Sequence, residues 1–165
     1  MRAGMAYWLV KTEPDVFSID DLRKAKKTRW DGVRNFAARN HLRAMRKGDL
    51  ALVYHSNATP SAIVGVAEVA REAYPDPTQF EKRDEMHYDP KSDPAAPTWS
   101  AVDLRFKEAF ARPVPLDEVK AEKRLAKMAL VRIARLSVQP VTAEEWKVVL
   151  AMARPAAART KKSKP

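Results

Sequence analysis

The chain has no cysteine. That excludes disulfides, thiolate catalysis and any zinc site built on sulfur ligands. Glycine is scarce too, four in 165 residues, and no phosphate-cradling loop or GxSxG nucleophile elbow is present. The three histidines, His41, His55 and His87, show no HxxxH or HExxH spacing. No metal or cofactor is therefore expected. No apolar run approaches the roughly 18 residues that span a bilayer. The start, Met1-Arg2-Ala3-Gly4-Met5, lacks the apolar core of a signal peptide, so the expected location is cytoplasmic, away from membranes.

What is present fits one domain with an ordinary core. Lys and Arg number 31 against 21 Asp and Glu, a formal charge of +10. The segment from Ala156 to Pro165 holds Arg159, Lys161, Lys162 and Lys164 and no acid, so most of the excess lies in the body of the chain. A basic surface draws polyanions by counterion release, whatever their sequence. Residues 154–165 read as a disordered basic tail.

Tyr7-Trp8-Leu9-Val10-Lys11-Thr12 reads as a strand stopped by Glu13-Pro14. Ser18 is placed to cap a helix carrying Asp20, Asp21 and an inward-facing Ile19 and Leu22. Phe36 to Met45 predicts a second helix anchored by Phe36, Leu42 and Met45. Strands are expected at Leu50–His55, after a Lys47-Gly48-Asp49 turn, and at Ala62–Val69, where Gly65 points to a bulge or a close approach. Tyr74 to Thr98, with five prolines, predicts a long ordered excursion that buries Phe80, Met86 and Tyr88. Val102–Phe106 alternates as a half-buried strand, and a helical stretch follows with Val119, Leu125 and Met128. Thr142-x-x-Glu145 is a capping box for a last helix that buries Trp146, Val149 and Leu150. Strands and helices without βαβ alternation imply an α+β fold, a small, mostly antiparallel barrel with helices around it.

Trp30-Asp31-Gly32-Val33-Arg34-Asn35, with Arg39-Asn40 beyond, combines a large aromatic, cations and amides. Such a mix suits a pocket that stacks a flat ring and hydrogen-bonds its edge. It equally suits a Trp covering a helix start beside a wet, cationic face. Arg34, Arg39 and Arg43 are spaced to form one strip on a helix, either contacting phosphates or solvated. No catalytic constellation emerges. His55 and Ser56 point to opposite faces of a regular strand, and the acidic pairs Asp20-Asp21 and Glu144-Glu145 sit in first turns where the helix dipole explains them.

Several stretches together resemble the EVE domain of the PUA-like superfamily. They are Tyr7 to Pro14, Trp30 to Asn35, Gly48-Asp49, Tyr54-His55-Ser56-Asn57, Gly65 to Val69, Tyr88-Asp89-Pro90-Lys91 and Arg135-Leu136-Ser137-Val138-Gln139-Pro140. The resemblance runs in order over residues 5–153. It implies a pseudo-barrel of five or six strands with surrounding helices, and recognition of one nucleobase, often modified, in DNA or RNA. In relatives of the superfamily a tryptophan just after the first helix forms part of an aromatic cage, which makes Trp30 the stacking residue. Asn35 and Asn40 would read the base edge, unless they cap the second helix. Tyr54, Ser56 and Asn57 end the strand where such folds line their pocket, and Tyr54 and Ser56 share a face. Lys11 and Glu13 share a face of the first strand; a lone buried Lys is costly, so it pairs with an acid or reaches phosphate. Trp99 is a candidate second wall, and Ser137 and Gln139 border the pocket or form a structural turn.

The expected function is that of a non-catalytic, monomeric reader of nucleic acid. Two alternatives stand beside it: an enzyme acting on a nucleotide-like molecule through His55 or Glu13, and an RNA-processing partner without a base pocket.

Overall fold

The structure is a computed structural model that describes residues 4–154. Strands β1 (Tyr7–Thr12), β2 (Lys27–Trp30), β3 (Leu50–His55), β4 (Ala62–Pro75), β5 (Ser100–Pro115) and β6 (Val138–Val141) form one sheet. Their order is β2-β5-β4-β3-β1-β6. Only β1 and β3 run parallel; every other neighbouring pair is antiparallel. This is the α+β, mostly antiparallel architecture expected. The proposed tail falls, from residue 155 onward, outside the described residues.

β1 is buried on both faces, and its alternation divides the interior into two cores. Trp8 and Val10 enter a first core closed by α1 (Ile19–Ala25) and α2 (Phe36–Ala44). Leu9 enters a second, closed by α3 (Leu116–Ala121), α4 (Ala129–Arg132) and α5 (Ala143–Ala153). Ser18 and Thr142 each complete a capping box, with Asp21 and Glu145, which fixes where α1 and α5 begin. Gly65 sits where the β4–β5 register breaks; a Cβ there would lie 2.3 Å from the Glu108 carbonyl oxygen.

Some expectations need correction. Lys27–Trp30 forms a short edge strand on β5 that composition did not suggest, because only Trp30 of its four residues is buried. The stretch after Pro115 is broken into α3, a 3-10 turn at Lys123–Leu125 and α4, rather than one helix. Phe36 is exposed and stacks on Trp99, while Ala38 and Leu42 anchor α2. The excursion is ordered, but polar bonds hold it, and Met86 is not buried at all. Gln79 is fully buried and donates to the Asp76 and Trp99 carbonyls at 2.7 and 2.8 Å. Its amide oxygen accepts from the Ser92 hydroxyl and the Trp99 N–H.

Candidate functional site

Because β1 and β3 are parallel, both finish at the same end of the sheet, with Lys11 beside Tyr54 and Thr12 beside His55. There the chain opens a cleft of about 710 Å³. An adjoining hollow of about 370 Å³ shares Lys11, Thr12, Val16 and His87 with it. Tyr54, Ser56, Asn57 and Ser137 line the larger space. Trp30, Phe17, Arg29 and Asp31 line the smaller one. Such volumes fall within the roughly 300–1,000 Å³ of small-ligand sites. Trp30 is 8% exposed, with its ring edge-on to Phe17 at 6.3 Å.

Cations dominate the lining: Lys11, Arg29, Lys120 and Arg135 face the acids Glu13 and Asp31. Arg29 is paired with Asp31 at 2.8 Å. Lys11 donates from Nζ to the Ala134 carbonyl at 2.9 Å and sits over the Tyr54 ring at 5.8 Å. Among the described residues it meets no carboxylate, and burial pulls its pKa below the ordinary lysine value. A half-buried ammonium with one neutral acceptor is poorly compensated, so an anion in the cleft would be favoured there. Burial pushes the Tyr54 hydroxyl up, with a bond from Ser61 opposing; it stays a neutral donor at physiological pH. His55 accepts the Ile19 N–H at Nε2, 3.1 Å, and burial lowers its pKa, so its ring is spent on holding α1.

One wall is fixed by a polar clamp. Gly32, at φ +78°, leaves room for His87: a Cβ would lie 2.8 Å from its Nε2. Arg34 donates to the His87 carbonyl at 2.6 and 3.1 Å, to Thr78 Oγ1 at 3.0 Å and to Asp76 at 3.0 Å. Asp76 is fully buried and also accepts the Gly32 N–H at 2.8 Å. The Trp30-Asp31-Gly32 loop and the excursion are thereby locked together as one wall of the cleft.

The structure brings Lys11, Glu13, Tyr54, Ser56, Asn57 and Ser137 to one cleft and Trp30 to its annex. The other candidates go elsewhere. Asn35 caps α2 by accepting the Ala38 N–H at 2.9 Å. Asn40 accepts from Arg39 on the exposed side of that helix. Trp99 is buried, donates its indole N–H to Asp89 at 2.7 Å and stacks on Phe36, so it walls neither space. Gln139 is fully buried next to Leu9 in the β1–β6 register and lines neither space. The arginine strip is committed internally: Arg34 to the clamp, Arg39 to the Thr98 carbonyl, and Arg43 to Ser100 Oγ and the Pro97 and Thr98 carbonyls. The sequence gives the cleft cations Lys120 and Arg135 no role, since one charge in the last turn of a six-residue helix and one in the loop before β6 carry no periodic signal. His87 lines both spaces, and among the described residues no group of three or more His, Asp or Glu could hold a metal ion.

Residues 6–152 match the EVE domain. The chain belongs to the EVE domain family. Thymocyte nuclear protein 1 of Mus musculus is 44% identical over 165 residues, covering 88% of this chain and 73% of that protein. A solved structure of a hypothetical protein from Leishmania major superposes with a TM-score of 0.87 at 47% identity, over 91% of this chain and 95% of that one. Human THYN1, solved in complex with 5-methylcytosine-containing DNA, gives a TM-score of 0.87 at 43% identity over 91% of this chain and 98% of that one. None of these EVE relatives bears an enzyme's name. Among the described residues of this EVE domain, no helix is long and apolar enough to cross a membrane.

Proposed function

We propose that this EVE domain is a non-catalytic reader of DNA that takes one modified base, a 5-methylcytosine in the first instance, into the cleft at the ends of β1 and β3. The observation that carries the reading is the open, cationic cleft of about 710 Å³ lined by Lys11, whose ammonium has a carbonyl and a ring but no carboxylate among the described residues. The DNA complex of a relative 43% identical supports it. In this reading the base meets the rim of Tyr54, whose ring is 4% exposed and otherwise packed in the second core, and Ser56, Asn57 and Ser137 offer edge partners that both donate and accept. Lys11, Lys120 and Arg135 face the flanking phosphates. Trp30 and Phe17 supply the aromatic side of a mixed annex, shared with Arg29 and Asp31, for a substituent on the base. Asn35, Asn40, Trp99, Gln139 and the arginines Arg34, ahead of α2, and Arg39 and Arg43, on it, act by holding the walls, not by touching the ligand.

Extruding a base costs a few kcal/mol, while stacking on an aromatic ring returns about 1–3 kcal/mol. The balance must come from phosphate contacts, so affinity falls steeply with salt. His55 and the helix caps are occupied structurally, so among the described cleft residues the nucleotide-enzyme alternative would rest on Glu13 and on His87, whose Nδ1 is held by Asp84. We infer a monomer acting wherever it meets DNA; the cytoplasmic expectation stands against the word nuclear in the relatives' name.

The test is anisotropy binding of single-stranded DNA and RNA oligonucleotides bearing cytosine, 5-methylcytosine or 5-hydroxymethylcytosine, at fixed salt. Tyr54→Ala, compared at matched folded fraction because it also empties a core position, is expected to lose about tenfold in affinity, the lower part of the stacking range. Lys11→Met should flatten the salt dependence by about one charge. Wild-type binding that ignores the modification, or that survives both changes, defeats the reading.

A further inference from the structure

Among the described residues the two most exposed large apolar side chains are Met86 and Val16, at 85% and 78%. Both line the same cleft. Single exposed apolar residues are ordinary on any surface; two at the mouth of one charged cavity are not explained by chance scatter or by core packing. Neither hangs on a loose segment. Val16 rides a turn closed by the Val16 and Phe17 N–H groups on the Glu13 carbonyl, both 2.9 Å, and by Thr12 Oγ1 on the Phe17 carbonyl at 2.8 Å. Met86 rides a turn closed by the His87 and Tyr88 N–H groups on the Asp84 carbonyl and by His87 Nδ1 on the Asp84 carboxylate at 2.9 Å. Arg34 pins that turn through the His87 carbonyl.

We propose that Met86 and Val16 are wedges that enter the base stack of double-stranded DNA and fill the gap left by a base drawn into the cleft. This rests on the base-binding reading above and adds duplex DNA as the partner. A vacated position in a duplex is a flat, apolar slot between two bases. Unbranched, polarisable methionine conforms to such a slot, and inserted apolar side chains are a recurring means of prising base steps apart. The cations lining the cleft, Lys120 and Arg135, face the polyanion that would carry the slot to them. Exposure costs the free protein little, while burial between bases removes both side chains from water only in the bound state.

The test uses the full chain with Met86→Ser, Val16→Ser and the double variant, whose exposed positions leave the fold intact by circular dichroism. Each is titrated with a labelled 5-methylcytosine oligonucleotide as a single strand and as a duplex. The double variant is expected to lose about tenfold on the duplex, equivalent to roughly 1.4 kcal/mol, and less than about twofold on the single strand. Duplex affinity equal to wild type, or equal losses on both forms, overturns the wedge while the base-binding reading stands. Wild type that fails to prefer the modified single strand sinks both.

Discussion

Replacing Asp76 by Asn tests the clamp that shapes the cleft, because it removes one charge and one acceptor without changing volume. Asp76 is fully buried and its two oxygens accept four hydrogen bonds. Oδ2 takes the Gly32 N–H and Arg34; Oδ1 takes the Thr78 N–H and hydroxyl. In Asp76→Asn the amide nitrogen must stand at one of these positions. Placed against Gly32 and Arg34 it would set donor against two donors. The less costly orientation turns it to Thr78, whose hydroxyl can rotate to accept, leaving the Thr78 N–H without a partner. That orphaned donor costs about 1–3 kcal/mol, and exchanging the charge-assisted bond to Arg34 for a neutral one adds about 1 kcal/mol. Arg34 retains 21% side-chain exposure, so the full 3–5 kcal/mol of a broken buried pair is not reached.

The expected loss is therefore about 2–4 kcal/mol, a Tm drop of roughly 5–15 °C for a domain this size. Urea unfolding with an unchanged m-value measures it. The pH dependence gives a second reading of the same contact. Burial alone pushes the Asp76 carboxyl up, but bonds from Thr78, Gly32 and Arg34 outweigh it and hold the pKa below the ordinary aspartate value. A carboxyl depressed on folding contributes stability above its unfolded pKa, about 3.9, that disappears as pH falls through the folded value. The gap between wild type and Asp76→Asn should accordingly narrow below about pH 4. A loss under about 1 kcal/mol near neutral pH would show that the clamp is a screened surface pair and refute the reasoning. Since Gly32 and His87 both line the cleft, a confirmed loss should also weaken oligonucleotide binding.

Gly65→Ala should cost at the top of the roughly 1–3 kcal/mol overpacking range or prevent folding, because its Cβ would meet a backbone carbonyl at 2.3 Å. Gly48→Ala meets nothing within 4 Å and is expected to lose only the roughly 1–2 kcal/mol of its positive φ, so thermal melts of the pair should differ; equal losses would refute the clash. His41 and His55 both have pKa values lowered by burial, so the unfolded chain binds more protons below about pH 6.5 and stability falls as pH drops from 7 toward 5. His55→Gln, which can still accept the Ile19 N–H, should flatten that slope in a Tm-versus-pH series; an unchanged slope means His55 is not held neutral.

How far the sequence could be read depends on whether a residue's role is local. Ser18, Thr142 and the Lys47-Gly48-Asp49 turn were legible because a cap or a turn is decided within four residues. Alternation alone put Tyr54 with Ser56, and Lys11 with Glu13, and those pairs do share the cleft. Arg34, Arg39 and Arg43 show where that logic ends. Their spacing gave a helix strip, but guanidinium groups seek carbonyls across the chain, and theirs on the proline-rich excursion lie 53 to 59 residues away. Trp99 was misplaced for the same reason, since Asp89, which holds its indole, is ordered only by the excursion folding on itself. Met86 was read as a buried anchor because an apolar side chain in a long loop usually has a core beneath it. Here Gln79 does that work, and a residue freed from packing at the mouth of a cleft is available for a partner instead.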